Sequence, residues 1–159
     1  MAESLVSKTL RDGTIKIKDA SGLVYEVTIE QGNFTVTPNK AGRTVIFDRH
    51  VIAGLRKAQD PIGSLSFTVS MRQFTHATDA TIIDVMDRSG AWAAAVSVGG
   101  AAYEQFLVNV EAIVAGLIHG DSGDHQLTFA KVFLDWSFSE GDPNTINVTG
   151  EVYGGYTKA

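Results

Sequence analysis

Residues 64–72 read Ser-Leu-Ser-Phe-Thr-Val-Ser-Met-Arg, and this stretch decides the fold class. Every second side chain is apolar, and the side chains between them are small hydroxyls or arginine; the apolar ones are Leu65, Phe67, Val69 and Met71. Because successive side chains of a β-strand point to opposite faces, one face of this strand lies on a core and the other faces water. One-sided strands of this kind are typical of antiparallel sheets.

The same period of two recurs on both sides of this strand. It covers residues 15–17, 23–29, 34–36, 45–47, 106–110 and 146–152, and the short turns between the early strands favour a meander. Residues 92–98 are small and apolar and are predicted as another strand. Residues 127–138 carry apolar side chains on both faces, with Leu127, Phe129 and Phe133 on one and Val132, Leu134 and Trp136 on the other.

One short helix is predicted at about residues 79–88. Thr78 or Asp79 can cap its first turn, and Gly90 can end it. Its apolar stripe comprises Ile82, Val85 and Met86, so it must pack against the sheet.

Composition excludes several classes of protein. The chain has 159 residues, no cysteine and a net charge of −5, which fits one domain without disulfides or a thiolate metal site. An acidic chain is a poor candidate for tight binding to the phosphate backbone of nucleic acid. We find no signal-peptide pattern, and the longest uncharged stretch, 89–103, is too short to span a membrane. We therefore expect a soluble protein made in the cytoplasm. Charged residues make up only 19% of the chain, so some of its surface is expected to be buried by other subunits.

The most site-like string is residues 119–125 (HGDSGDH), whose weak metal-ligand candidates are His119, Asp121, Asp124 and His125. The string has no calcium-loop spacing and also reads as a hairpin turn, which is the more favoured interpretation.

No convincing active site is present. Neither phosphate-binding glycine motif occurs, and Ser122 does not lie in a nucleophile-elbow pattern. The prediction is a protein that is not an enzyme and needs no cofactor.

The chain is expected to consist of an N-terminal arm at 1–12, a β domain at 13–153 that includes a long connection at 48–63, and a C-terminal arm at 154–159. The connection is apolar and basic within an acidic protein. Long structured connections in small domains are usually functional or interfacial.

The pattern as a whole resembles phage tail tube proteins over roughly residues 12–153. The matching pieces, in order, are residues 12–19 (DGTIKIKD), 30–34 (EQGNF), 47–49 (FDR), 65–67 (LSF), the helix, 129–133 (FAKVF), 140–145 (EGDPNT) and 150–153 (GEVY). The resemblance rests on their order and spacing together.

This resemblance implies an antiparallel β-sandwich or barrel with one short flanking helix, assembling into hexameric rings that stack into a hollow tube. It implies that the tube surrounds the tape measure protein during assembly and later conducts DNA. The implied partners are further copies of the chain, the tape measure protein, the tail terminator, baseplate or distal tail proteins and, as a further candidate, a sheath protein. The implied location is the virion tail, assembled in the host bacterial cytoplasm. Tubes of type VI secretion and phage-tail-like bacteriocins share the architecture, so a tube subunit of a phage-derived secretion or bacteriocin particle is an alternative that the resemblance leaves open.

Two hypotheses about surfaces follow. The connection 48–63 is expected to make the main contact between rings, through Arg49, Val51, Ile52, Leu55, Arg56 and Lys57. The hydroxyl-bearing face of residues 64–72 is expected to line the lumen, through Ser64, Ser66, Thr68 and Ser70.

Two functions from other classes remain open. One is a monomeric β-sandwich module that binds a ligand at residues 119–125. The other is a metal-dependent hydrolase using the same loop.

Overall fold

The structure is a computed structural model that describes residues 13–27, 33–38, 40–70, 81–114 and 123–159. Its strands are β1 (Gly13–Lys18), β2 (Val24–Val27), β3 (Thr35–Thr37), β4 (Arg43–Asp48), β5 (Val51–Lys57), β6 (Gly63–Ser70), β7 (Val108–Val114), β8 (His125–Ser139), β9 (Thr145–Val152) and β10 (Tyr156–Lys158). The helix α1 spans Ile82–Asp87. The predicted class, mainly antiparallel β with one short flanking helix, is confirmed.

Eight of these strands form one sheet in the order β2-β1-β7-β8-β9-β6-β3, with β10 also paired to β8. Every pairing is antiparallel. The β1–β2 hairpin has the predicted turn, but the meander does not continue beyond it. β3 pairs with β6 at the opposite edge of the sheet, and β4 pairs only with β5. The turn spacing between β2, β3 and β4 could not reveal these pairings. The partner of β3 is β6, which follows after β4 and β5, and the partner of β4 is β5, which was not predicted as a strand.

The core lies on one face of the large sheet. Strand β6 alternates as predicted, with Leu65, Phe67 and Val69 buried and its hydroxyls on the other face. Helix α1 covers part of this face, where it contacts β2 and β8. The buried side chains include Ile15, Ile17, Val27, Ile82, Val85, Trp92, Val110, Phe129, Val132, Ile146, Val148 and Val152.

Helix α1 is capped at both ends. The Thr81 hydroxyl accepts the Asp84 N–H, and the Asp84 carboxylate accepts the Thr81 N–H, which is a capping box. The predicted caps, Thr78 and Asp79, lie outside the described residues. The C-cap is Arg88 in the left-handed conformation (φ 54°) and not Gly90, which begins a 3-10 turn. The helix therefore ends earlier than the predicted residue 88.

The predicted strand at 92–98 is wrong. Gly90–Trp92 is a 3-10 turn, and the residues after it form turns. Trp92 and Ala95 are both buried, and the Ala95 N–H donates to the Trp92 carbonyl at 3.0 Å. Apolar side chains three residues apart face the same way on a turn of helix, so this apolar run fills the core without a strand.

The long strand β8 is confirmed, and Val132, Leu134 and Trp136 face the core together as predicted. The prediction that Phe129 lies on the opposite face from them is wrong. The pairing of β8 with β7 shifts between Val108↔Val132 and Val110↔Phe129, so β8 carries one extra residue there. Lys131 has φ 53° at this bulge. Because a bulge reverses the side-chain alternation, Phe129 and Val132 are both buried in the core, whereas Phe133 is not part of it.

The predicted connection at 48–63 is not a loop over its first part. Asp48 ends β4, Arg49 and His50 form a turn, and Val51–Lys57 is the second strand of a hairpin. Both turn residues have positive φ, 45° and 69°, as a type I′ turn requires. The usual glycine of that turn is absent, so the sequence carried no hairpin signal here.

The predicted C-terminal arm at 154–159 is also wrong. Strand β10 pairs with β8, with Tyr156 opposite Phe129, and Ala159 exchanges two backbone hydrogen bonds with Gln126. It continues the line of β9 after an interruption at 153–155. The predicted N-terminal arm at 1–12 lies outside the described residues.

Candidate assembly surfaces

The β4–β5 hairpin is the first candidate surface, because it forms a two-stranded sheet separate from the large one. All its strand residues except Gly54 are exposed. An isolated two-stranded hairpin is marginally stable in water. A hairpin of this kind would therefore be stabilised by any surface that covered it.

The strand register sorts the hairpin's side chains into two faces. Val45 lies opposite Leu55, and Phe47 lies opposite Ile52. Cross-strand partners share a face, so these four side chains form one apolar face, which we call the apolar hairpin face. Its residues are well exposed: Phe47 by 63%, and Ile52 and Leu55 by 65% each. Contiguous exposed apolar side chains typically mark an interaction site.

The six residues predicted for the ring contact all lie on this hairpin but not on one face. Ile52 and Leu55 belong to the apolar hairpin face. Val51 and Arg56 lie on the opposite face, and Arg49 is in the turn. Lys57 lies 2.5 Å from Asp60 in an exposed ion pair.

Sequence reasoning missed Val45 and Phe47 as surface residues. Their alternation with Thr44 and Ile46 was interpreted as one buried face of a core strand, whereas the whole strand is exposed. The missing signal is the partner strand: an alternating strand paired only with another exposed strand has no core to face.

The second candidate surface is the outer face of β3, β6 and β9 with residues 133–139 of β8, which we call the polar sheet face. Ser64 and Ser66 are exposed, and Thr68 and Ser70 are half-buried, so all four predicted residues lie on one face. The register places a row of polar partners beside each of them. These partners are Thr35, Thr37, Asp135, Ser137, Ser139, Thr145, Asn147, Thr149 and Glu151. Phe133 lies opposite Glu151 and is the apolar member of the row.

Hydrogen bonds of ordinary length connect some of these hydroxyl and amide groups. The Thr68 hydroxyl donates to Asn147 Oδ1 at 3.0 Å, and Asn147 Nδ2 donates to Ser139 Oγ at 2.9 Å. The four segments that form the face contain no lysine or arginine, and its charges are the carboxylates of Asp135 and Glu151. A shallow groove of about 450 Å³ runs across it. Apart from Phe133, the face is polar and weakly acidic.

The metal-ligand candidates are only partly described. His119 and Asp121 lie outside the described residues. Asp124 and His125 are exposed at the beginning of β8. Within the described part of the chain, no three His, Cys, Asp or Glu side chains come together as a metal site would require. That same part contains no helix of the length and apolarity needed to cross a membrane.

Comparisons with known proteins give a fold likeness. No protein-family model matches the chain, and no curated protein sequence matches it significantly. Among solved structures, the chain is similar to a component of the anti-feeding prophage baseplate, determined by cryo-EM with 6-fold symmetrisation. The TM-score is 0.56 at 12% sequence identity, and the match covers 100% of this chain and 97% of that one. Likeness at this identity establishes a shared fold over the whole chain.

Proposed function

We propose that the protein is a non-enzymatic structural subunit of a phage tail tube. In this proposal six copies form a ring, and rings stack into a hollow conduit that surrounds the tape measure protein and later passes DNA. The other partners are the tail terminator, baseplate or distal tail proteins and a sheath protein. The protein is located in the virion tail, which is assembled in the host bacterial cytoplasm.

One observation carries the proposal: the whole chain shares its fold with a component of a prophage baseplate that was symmetrised six-fold. The resemblance of the sequence to tail tube proteins is an independent observation, because it rests on the order and spacing of short segments along the chain. Fold and sequence pattern therefore support the same kind of particle.

The β4–β5 hairpin supports the stacking part of the proposal. It extends exposed apolar side chains away from the large sheet, and it carries Arg43, Arg49, Arg56 and Lys57 in a chain with a net charge of −5. Apolar side chains provide buried area at an interface, and basic ones steer the hairpin toward an acidic neighbour. We assign the contact between rings to this hairpin.

The polar sheet face supports the conduit part. Lysine and arginine create tight contacts with phosphates, and the segments that form this face have neither. Asp135 and Glu151 repel phosphate instead. We assign the lumen lining to Ser64, Ser66, Thr68 and Ser70 with their neighbours, a surface over which DNA slides.

The baseplate comparison favours one second candidate, a ring component of a baseplate. The two candidates, a tube subunit and a baseplate ring component, differ in how their assemblies grow. A tube subunit stacks on itself without limit, whereas a baseplate component forms a closed ring and needs other proteins to continue.

Negative-stain electron microscopy of the purified protein tests the proposal, together with a Leu55→Asp, Arg56→Glu double variant. We expect hollow rings or tubes from the natural chain. We expect no stacked tubes from the variant, although its circular dichroism stays unchanged because both residues are exposed. The matched control, Leu55→Val with Arg56→Lys, keeps apolar surface and charge and should stack normally. Normal tubes from the double variant would refute the hairpin contact, and a protein that stays monomeric throughout would refute the function.

A further inference from the structure

A groove lined by both apolar and polar side chains lies between helix α1 and the second half of β8. Its volume is about 220 Å³, and its walls include Met86, Phe106, Leu134 and Trp136. An engineered apolar cavity of about 150 Å³ admits benzene. The groove is therefore large enough for one phenyl ring.

The rim of the groove is acidic. Asp87 and Asp135 line it, and no lysine or arginine does. Trp136 holds both carboxylates in place: its indole N–H donates to Asp87 Oδ1 at 3.3 Å and its backbone N–H donates to Asp135 Oδ1 at 2.8 Å. Arg88 lies beside the groove: its Nη2 donates to the Ala95 carbonyl at 2.8 Å, and its guanidinium lies over the ring of Phe106, which is a wall residue. Two carboxylates and one guanidinium leave the groove with a net negative charge.

The hairpin has the complementary properties. Phe47 is the largest side chain of the apolar hairpin face and is 63% exposed. Residues 43–57 contain four basic side chains and one acidic side chain. A phenyl ring on a hairpin with net positive charge matches a groove that has apolar walls and a net negative charge.

We propose that this groove receives Phe47 from the hairpin of a second copy of the chain. The inference rests on the proposed self-assembly and names its receiving site. Hairpin and groove are different surfaces, so the contact is heterologous and repeats from copy to copy, as in a ring or a stack. The larger groove at the hairpin's base, about 510 Å³, is a poorer receiver. It is lined by Lys40 and by the Lys57–Asp60 ion pair, so its net charge is positive, like that of the hairpin.

Substitution of Phe47 gives the energetic test. Central aromatic side chains dominate interface energies, so we expect Phe47→Ala to raise the protein concentration at which particles form by at least about tenfold. The matched control is Ile46→Ala, which removes an exposed apolar side chain from the opposite face of the hairpin. Equal effects of the two variants would overturn the proposal.

Cross-linking tests the geometry directly, since the natural chain has no cysteine. Two single-cysteine variants of the full chain, Ile52→Cys and Gln105→Cys, are mixed, assembled and treated with a short bismaleimide. Ile52 lies opposite Phe47, and Gln105 is an exposed groove residue. We expect a 52–105 cross-link between copies, identified by mass spectrometry, and none between Ile52→Cys and a control Ser64→Cys on the polar sheet face.

The outcomes separate this inference from the proposed function. Particles that form normally without a 52–105 cross-link overturn the groove as receiver and leave the proposed function standing. Failure of the natural chain to form particles overturns both.

Discussion

The Asp19 carboxylate is buried and accepts several backbone hydrogen bonds. Its Oδ1 accepts the backbone N–H groups of Ser21, Gly22 and Leu23 at 3.0, 2.9 and 2.7 Å. Its Oδ2 accepts the N–H of Val96 at 2.9 Å. One side chain therefore fixes the β1–β2 turn and fastens the segment after α1 to it.

The pKa of Asp19 follows from this setting. Burial raises it, but hydrogen bonds from the Ser21 hydroxyl and from three backbone N–H groups outweigh burial, so the pKa is lowered from 3.8. A carboxyl whose folded pKa lies below its unfolded value stabilises the protein above the unfolded pKa. That stabilisation is lost as the pH falls through the folded pKa.

We predict that Asp19→Asn lowers the free energy of unfolding by about 2 kcal/mol at pH 7, because a charged acceptor of several N–H groups is lost. The difference from the natural chain should shrink as the pH falls below about 4. Urea denaturation of the two proteins from pH 7 to pH 2.5 measures this. A difference that does not change with pH would contradict the role of the charge.

Lys131 shows where residue-level reading of the sequence fails. Nothing in the letters of residues 129–133 indicates that Lys131 adopts φ 53° and adds a bulge. The conformation depends on tertiary contacts: its N–H donates to Asn109 Oδ1 at 3.2 Å, and its side chain lies over the Tyr103 ring. This one residue places Phe129 and Phe133 on opposite faces, although the alternation predicted a shared face.

At the scale of elements, β10 depends on a close approach of two backbones. The Gly154 N–H donates to the Ala130 carbonyl at 2.9 Å, and a Cβ on Gly154 would lie 2.8 Å from that oxygen. Only glycine fits at such a distance.

Gly154→Ala should therefore loosen β10 from β8. We expect faster amide hydrogen exchange at 156–158 and a loss of about 1–3 kcal/mol in the free energy of unfolding. The control is Gly123→Ala, since a Cβ at Gly123 meets no other atom within 4 Å. Unchanged exchange at 156–158 would contradict the close-packing argument.

The hairpin β4–β5 should respond to assembly more than any other element. In the unassembled chain its exposed hydrogen bonds open readily, so its amides should exchange at rates close to those of an unfolded chain. In assembled particles we expect protection of residues 43–57 by at least about tenfold, measured by hydrogen exchange and mass spectrometry. Equal exchange in both states would exclude the hairpin from the interface.

Elements with a local signal were predictable, and elements defined by their partner were not. The alternation of β6 predicted its buried and polar faces correctly. Residues 51–57 read Val-Ile-Ala-Gly-Leu-Arg-Lys, which has no period of two, because β5 has no core to face and contains a bulge opposite Ile46 and Phe47. Strand β10 has only three residues, too few to show a period.

At the scale of the whole molecule, the low charge and the acidity acquire a physical interpretation. The polar sheet face keeps basic side chains away from one surface, while the hairpin concentrates them on another. The residues proposed for the lumen could be identified from the alternation of β6 alone. The receiving groove could not, because it joins residues from α1, the segment before β7 and β8.

A lumen without basic side chains should not retain DNA. We predict that natural particles bind double-stranded DNA negligibly at 150 mM salt. A Ser64→Lys, Ser66→Lys variant should bind it with an affinity that falls steeply as salt rises, because each lysine adds a phosphate contact. Fluorescence anisotropy with a labelled duplex measures both, and Glu140→Lys in the β8–β9 turn controls for net charge. Tight, salt-dependent binding by the natural particles would contradict the conduit.

The most direct test is a cryo-EM reconstruction of the purified chain. We predict a hollow six-fold ring, alone or stacked, with Ser64, Ser66, Thr68 and Ser70 on the inner wall and the β4–β5 hairpin buried against an adjacent copy. A monomer of 17 kDa at every concentration, or a particle with these four side chains on its outer wall, would contradict the account.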